Sequence, residues 1–213
     1  MKPKLRFKPA DALAHLQKGD PVLGALIDRL GPFALELKLA DSLFEAMLRS
    51  IVYQQLHGKA AATIHARVLT ELQKHGGPFP EALAKSSDAA LRGAGLSGNK
   101  LLAVRDLAAK CIEGVVPTFA EAHALPDEEL VTRLTTVRGI GPWTVHMLLI
   151  FYLGRPDVMP TGDFAIRLGF KKLYNKRKDP KPEAILKHAS RWRPYRSVAS
   201  WYLWRSLDPA GPT

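Results

Sequence analysis

The chain has 213 residues, enough to bury a hydrophobic core as one domain or as two small lobes. Its 31 lysine and arginine residues outnumber 20 aspartate and glutamate residues, so the net charge is +11 and nucleic acid is the first partner to consider. The single cysteine, Cys111, excludes a disulfide framework and any zinc or iron–sulfur site with four cysteine ligands.

The N-terminal residues do not predict a signal peptide, because lysine, proline, aspartate and histidine interrupt the apolar pattern of residues 7–16. The most apolar run, residues 145–153, is about half the length that a membrane span requires. The sequence therefore predicts no membrane segment. We expect a soluble, monomeric protein of the cytoplasm.

Apolar residues recur at helical spacing along most of the chain, which predicts an all-α fold. Ser42 and Glu45 have the spacing of a capping box before the first strongly periodic helix, which should end near residues 54–58. Only residues 35–39 alternate in polarity, as a short strand or an extended segment would. Further helices are predicted at 59–74, 81–85, 87–91, 100–113, 119–124, 127–136, 142–153, 163–173, 182–189 and 197–207.

A pair of glycines, Gly139 and Gly141, brackets a predicted hairpin between two of these helices. Pro142 stands where the first turn of the second helix would begin. Both glycines can take positive φ and bring the backbone close to a ligand. The N–H groups of the hairpin and of the new helix would then bind a phosphate without reading base sequence. A plain helix–helix turn with glycine caps is the alternative.

Asp163 ends a Pro-Thr-Gly-Asp segment twenty residues after Trp143 and precedes an apolar helical run. Taken alone, an aspartate in that setting is most often a helix N-cap. Downstream of it the chain is strongly basic. Between Arg167 and Arg205 there are 12 basic residues and only two acidic ones, a net charge of +10. The basic stretch fits either a solubilising face or contact with a polyanion.

The hairpin and the Pro/Gly-rich loop that ends in Asp163 together resemble the helix-hairpin-helix DNA glycosylase superfamily, from about residue 42 to residue 205. The sequence is most similar to the 3-methyladenine DNA glycosylase II, or AlkA-type, family. Trp143 stands where the bifunctional relatives carry a lysine nucleophile, and the cysteines of the iron–sulfur relatives are missing. The aromatic segment that includes Trp204 resembles the last helix of AlkA-type enzymes.

This resemblance implies two helical lobes, one of residues 40–155 and one of residues 1–39 plus 156–213, with a DNA-binding cleft between them. It implies a monofunctional glycosylase that hydrolyses the N-glycosidic bond of alkylated purines, such as 3-methyladenine and 7-methylguanine, in base excision repair. The partner would be double-stranded DNA with a damaged base. A non-enzymatic helix-hairpin-helix module and a sibling glycosylase for other damaged bases are the alternatives.

The resemblance also implies a role for individual residues. Asp163 would be the catalytic carboxylate, and Trp143, Met147 and Trp204 would line the base pocket. Met147 replaces an aromatic residue of some relatives, and Arg138 replaces a proline. The DNA contacts would come from the hairpin and from the turn at residues 54–57, where Gln55 is the first choice for insertion into the duplex and Leu56 the second. These contacts comprise Gln54, Gln55, Leu56, His57, Arg138, Gly139, Gly141 and Thr144.

No organic cofactor is expected. Relatives hold a monovalent cation on hairpin carbonyl groups, and the resemblance implies Na⁺ or K⁺ on those of Thr135, Val137 and Gly139.

Overall fold

In the computed structural model, which describes residues 5–207, the chain forms thirteen α-helices and one 3-10 helix, and no β-strand occurs in that range. The predicted all-α class is confirmed. No helix of the described residues is long and apolar enough to cross a membrane. The helices are α1 (Pro9–Gly19), α2 (Pro21–Leu30), α3 (Leu43–Tyr53), α4 (Gly58–Gln73), α5 (Phe79–Lys85), α6 (Asp88–Gly93), α7 (Gly98–Ile112), α8 (Phe119–Ala124), α9 (Asp127–Leu134), α10 (Pro142–Phe151), α11 (Phe164–Leu173), α12 (Pro182–Ala189), the 3-10 helix Ser190–Trp192 and α13 (Arg196–Arg205).

The chain divides into two compact units. The middle unit is Ala40–Leu148, and the terminal unit combines, within the described residues, 5–39 with 149–207. The sequence suggested the second boundary at residue 155, whereas the division falls inside α10. The helix continues across the boundary between Leu148 and Leu149, so the sequence has no glycine, proline or polar turn there that could have indicated it.

The core of the middle unit is built around α3, which packs against α4 and α7. Its sequence follows the helical period, and seven of its eleven residues are buried. Ser42 caps α3 by accepting a hydrogen bond from the Glu45 N–H at 3.1 Å. The Glu45 carboxylate accepts a hydrogen bond of 2.9 Å from the N–H of Asp41, whereas a capping box requires one from the N–H of Ser42. The predicted capping box is therefore only half formed.

The core of the terminal unit is aromatic and joins α1, α2 and α11 to α13. Phe170, Trp192 and Tyr202 are its largest fully buried side chains. The sequence pattern had missed α1 and α2, although each has a proline in its first turn. Residues 35–39 are extended without forming a strand, and the Lys38 N–H donates to the Phe151 carbonyl at 2.7 Å.

Candidate active site

The predicted hairpin connects α9, which ends at Leu134, to α10, which begins at Pro142. Its turn is closed by a hydrogen bond of 3.0 Å from the Ile140 N–H to the Val137 carbonyl. Gly139 has a φ of 79°, a conformation that favours glycine, but Gly141 does not have a positive φ. Only one of the two glycines is therefore needed for its backbone conformation.

The hairpin presents polar and aromatic groups where α10 begins. The Arg138 side chain is exposed, and Trp143 is 49% exposed in the first turn of the helix. Thr144 is buried, with only 7% of its surface exposed. A phosphate contact at Thr144 would therefore come from its backbone N–H, which belongs to the first four N–H groups that have no partner inside a helix.

The predicted wedge turn, residues 54–57, follows the last residue of α3. Gln55, Leu56 and His57 are exposed there, and Gln55 has a φ of 57°, which is uncommon for a residue other than glycine. Gln54 differs from them, since its Nε2 donates to the Gly139 carbonyl oxygen at 2.8 Å. Gln54 therefore joins the wedge turn to the hairpin. One N–H of its side-chain amide is engaged with the protein, and the DNA contact that the sequence suggested for Gln54 stays a prediction.

Asp163 lies at the N-terminus of α11, after a turn closed by its own N–H on the Pro160 carbonyl at 2.9 Å. Its Oδ1 accepts the Ile166 N–H at 2.9 Å, so the aspartate is the N-cap that its position predicted. The same oxygen accepts a hydrogen bond of 3.1 Å from Nε1 of Trp204 on α13. Two donors on different helices therefore orient one carboxylate, and the side chain remains partly exposed.

Three further residues, which the sequence had not indicated, are connected to this pair: Phe151 and Lys38 through the Trp204 ring, and Phe164 as the residue after Asp163. Trp204 stacks on Phe151, with ring centroids 5.6 Å apart and an interplanar angle of 29°. The Lys38 ammonium lies 5.2 Å from the centroid of the same Phe151 ring. Phe164, directly after Asp163, is 71% exposed. In the sequence, Phe164 follows the aspartate directly and does not share the spacing of the buried residues of α11. This is the one signal that could have indicated an exposed aromatic residue there.

The predicted site residues form three groups. Gln54 contacts the hairpin at Gly139. Trp143 and Met147 lie four residues apart on α10, a spacing that places them on one face of the helix in the middle unit. Asp163 and Trp204 are hydrogen bonded in the terminal unit.

The hairpin carbonyls expected to bind a cation also take part in hydrogen bonds within the protein. Of the three that the sequence suggested, the Val137 oxygen accepts the Ile140 N–H and the Gly139 oxygen accepts the Gln54 amide. The neighbouring Thr136 oxygen accepts the Lys110 ammonium at 2.6 Å, which adds a positive charge at this position. A carbonyl oxygen has a second lone pair, so these hydrogen bonds leave it able to bind a cation, and the Na⁺ or K⁺ site at Thr135, Val137 and Gly139 stays a prediction. No step is assigned to the ion.

Comparison with known proteins identifies the family of the chain. The profile of the HhH-GPD superfamily of base excision DNA repair proteins matches residues 48–194. The chain belongs to this superfamily. DNA-3-methyladenine glycosylase 1 of Schizosaccharomyces pombe is 40% identical over 170 residues, which cover 80% of this chain and 75% of the relative. The predicted family is thereby confirmed.

Two solved structures resemble the fold closely. The 3-methyladenine DNA glycosylase of S. pombe in complex with abasic DNA has a TM-score of 0.77 and 35% identity, and the match covers 95% of this chain and 99% of that one. A DNA-3-methyladenine glycosidase from Bacillus halodurans has a TM-score of 0.85 and 32% identity, with 96% and 93% covered. Both match nearly the whole chain, and the residues matched by the superfamily profile include the hairpin, the wedge turn and the segment around Asp163.

Proposed function

We propose that this protein is a monofunctional DNA glycosylase that removes alkylated purines, of the 3-methyladenine and 7-methylguanine type, by hydrolysis of the N-glycosidic bond. The proposal rests chiefly on Asp163, whose carboxylate is partly exposed and is oriented by the Ile166 N–H and the Trp204 indole. A helix cap alone requires the first of these hydrogen bonds but not the second. The cytoplasmic location expected from the sequence belongs to the same proposal.

The chemistry requires little beyond one well-placed carboxylate. Alkylation at N3 or N7 makes the purine cationic, so the base leaves without protonation by a general acid. The sugar develops oxocarbenium character as the bond breaks, and the Asp163 carboxylate stabilises this positive charge. The same carboxylate orients or deprotonates the attacking water, which adds to the sugar carbon as the neutral base departs.

The remaining predicted residues bind the substrate in this proposal. A base inside a duplex must leave the stack before its glycosidic bond is accessible, at a cost of a few kcal/mol. Insertion of Gln55 or Leu56 from the exposed wedge turn offsets part of that cost. Backbone N–H groups of the hairpin and of the start of α10 bind phosphate. Trp143, Met147 and Trp204 contact the extruded base, and aromatic rings suit its positive charge.

The test is the Asp163→Asn variant, assayed for release of 3-methyladenine and 7-methylguanine from alkylated duplex DNA. Asparagine is as good an N-cap as aspartate, so α11 and the fold should persist. Because the negative charge is lost, we expect excision to fall by roughly 100-fold or more, a typical contribution of one electrostatic group to a transition state. Affinity for DNA with an abasic-site analogue should stay close to that of the unmodified protein.

Asp179→Asn is the matched control, because Asp179 is an exposed aspartate of the same unit, 80% accessible and paired with Lys171. It should excise at the unmodified rate. Base release by Asp163→Asn at that rate would refute the catalytic assignment. Borohydride should trap no covalent adduct with DNA, since Trp143 stands in the position of the lysine nucleophile; a trapped adduct would point to a bifunctional enzyme instead.

A further inference from the structure

The wedge turn must keep a defined conformation if its side chains are to enter DNA, yet it is short and exposed. Gln55, Leu56 and His57 all face solvent, and Gln55 has a left-handed backbone conformation with a φ of 57°. Such a conformation in a residue other than glycine persists only where the surrounding structure enforces it. Contacts from elsewhere in the middle unit must therefore hold the turn.

Lys100, on the first turns of α7, makes these contacts. Its Nζ donates to the Val52 carbonyl at 2.6 Å and to the Gln54 carbonyl at 2.8 Å, at the C-terminal end of α3. Burial lowers the pKa of this ammonium group from its ordinary value. A cation is favoured at a helix C-terminus, where the last carbonyl groups have no partner inside the helix. Lys100 thus fixes the point at which the chain leaves α3 and enters the wedge turn.

The same side of α7 also holds the hairpin. Asp106 Oδ2 accepts the Arg138 N–H and the Lys110 ammonium, both at 2.7 Å. Burial raises the pKa of Asp106, but the Lys110 and Arg138 hydrogen bonds outweigh burial and lower it overall. Lys110 donates in turn to the Thr136 carbonyl at 2.6 Å. The hairpin backbone is therefore held at Thr136 and at Arg138, on both sides of Val137.

These residues follow the helical period. Lys100, Asp106 and Lys110 lie on one face of α7 with Ala103, and a Cβ added at Gly139 would lie 3.6 Å from the Ala103 Cβ. We call these four residues the α7 face. The Gln54 amide completes the arrangement, because it links the wedge turn directly to the Gly139 carbonyl at 2.8 Å.

We propose that the α7 face positions the wedge turn relative to the hairpin, and that Lys100 and Gln54 are positioning residues for insertion into DNA. The proposal rests on the proposed function, since it assigns these residues to base extrusion by that site. A turn that is already fixed loses little conformational freedom on insertion, so more of the contact energy remains to unstack the base. Neither residue needs to touch the DNA for this effect.

The test compares one lesion in two settings. The excision rate of 7-methylguanine is measured in single turnovers, once paired with cytosine in a duplex and once unpaired in a bulge. An unpaired base costs less to extrude, so it depends less on the wedge. We expect Lys100→Met, which keeps an unbranched side chain but removes the ammonium group, to slow excision from the duplex by about tenfold or more, because misplacement by about 1 Å can cost that much. Excision from the bulge should fall by threefold or less.

Lys85→Met is the matched control, since Lys85 is an exposed lysine at the end of α5 in the same unit. It should not change either rate. If Lys100→Met fails to fold, Gln54→Met tests the same proposal, because it removes only an exposed hydrogen bond to the hairpin. Its excision rate should also fall more for the paired lesion than for the unpaired one. Equal losses on both substrates, or no loss in either variant, would overturn the proposal.

A second measurement separates this inference from the proposed function. The fluorescence of 2-aminopurine beside an abasic-site analogue reports insertion without any base release. We expect a smaller increase for Lys100→Met than for Lys85→Met on saturation with protein. If the unmodified protein releases no methylpurine, the proposed function is wrong, and this fluorescence comparison still decides the role of Lys100.

Discussion

The indole Nε1 of Trp204 donates a hydrogen bond of 3.1 Å to Oδ1 of Asp163, the oxygen that also accepts the Ile166 N–H at 2.9 Å. The first donor belongs to α13 and the second to α11, so the orientation of the carboxylate depends on the packing of these helices. That packing is close: a Cβ on Gly169 of α11 would lie 2.7 Å from the Leu203 carbonyl oxygen of α13. The absence of a side chain at Gly169 allows the approach.

Replacement of Trp204 by phenylalanine should remove the hydrogen bond while an aromatic ring remains beside Phe151. A hydrogen bond to a charged group contributes about 1.5–3 kcal/mol. We expect single-turnover excision to slow by about tenfold. The Asp163 carboxylate loses one of the two donors that orient it, and this loss outweighs the gain from a negative charge that fewer hydrogen bonds neutralise. The melting temperature should fall by several degrees, since about 1 kcal/mol shifts it by roughly 2–4 °C in a chain of this size, and the affinity for abasic DNA should change little.

Phe151→Leu is the comparison variant for this prediction. It removes the ring that stacks on Trp204 at 5.6 Å but leaves the indole donor in place. Its excision rate should therefore exceed that of Trp204→Phe. The reverse order would show that Trp204 acts through stacking and not through its N–H.

The backbone of Gln55 provides a second prediction, in which stability and activity change in opposite directions. A left-handed conformation, here with a φ of 57°, costs roughly 1–2 kcal/mol in a residue with a Cβ. Glycine removes this strain but loses more conformational entropy on folding, so Gln55→Gly should raise the free energy of unfolding by about 0.5 kcal/mol. Excision from duplex DNA should fall, because the inserting side chain is gone.

Gln55→Ala separates the two effects, because alanine keeps the strain and also lacks the inserting side chain. It should be no more stable than the unmodified protein and should excise as slowly as Gln55→Gly. Leu56→Ala decides between the two candidates for insertion. If it slows excision and Gln55→Ala does not, Leu56 is the residue that enters the duplex.

Local patterns in the sequence predicted the parts of the site that depend on neighbouring residues. Gly139 in the hairpin, Pro142 at the start of α10 and Asp163 at the start of α11 all act within one or two turns of their own position. Even so, the prediction of a capping box at Ser42 was wrong by one residue, because the Glu45 carboxylate accepts the Asp41 N–H and not the Ser42 N–H. Spacing indicates that such a contact forms but not which of two adjacent N–H groups it reaches.

The contacts that the sequence did not predict join residues far apart in the chain. Lys100 reaches the end of α3 from 46 and 48 residues away, and Gln54 reaches Gly139 from 85 residues away. A lysine or glutamine on a polar helix surface has the same local pattern whether it faces water or a distant carbonyl group. Asp20 illustrates the same limit, since its three side-chain partners are 154–172 residues away.

Asp20 supplies the last prediction, which concerns the stability of the terminal unit. It is 2% exposed, and its Oδ2 accepts hydrogen bonds from Tyr174 at 2.7 Å, His188 at 2.9 Å and Trp192 at 3.0 Å. Its Oδ1 accepts the Leu23 N–H at 3.2 Å and so caps α2. Burial raises the pKa of Asp20, but these four hydrogen bonds together outweigh burial and lower the pKa below its ordinary value.

The direction of that change fixes the pH dependence. The carboxyl group binds a proton less readily in the folded chain than in the unfolded chain, so the stabilisation from Asp20 is fully present above the unfolded pKa, about 4. It is lost progressively as the pH falls below that value and through the lower pKa of the folded state. Urea unfolding should therefore show a fall in stability below pH 4 that includes a contribution from Asp20.

Asp20→Asn isolates that contribution. The amide presents an NH₂ group towards donors that need an acceptor, so we expect a loss of about 2–4 kcal/mol at pH 7. Asp179→Asn, at an exposed ion pair, should change the stability little. The gap between the unmodified protein and Asp20→Asn should narrow as the pH falls from 4 towards 2, because the unmodified carboxylate becomes protonated as well. A gap that stays constant over this range would mean that packing of Asp20, and not its charge, stabilises the aromatic core.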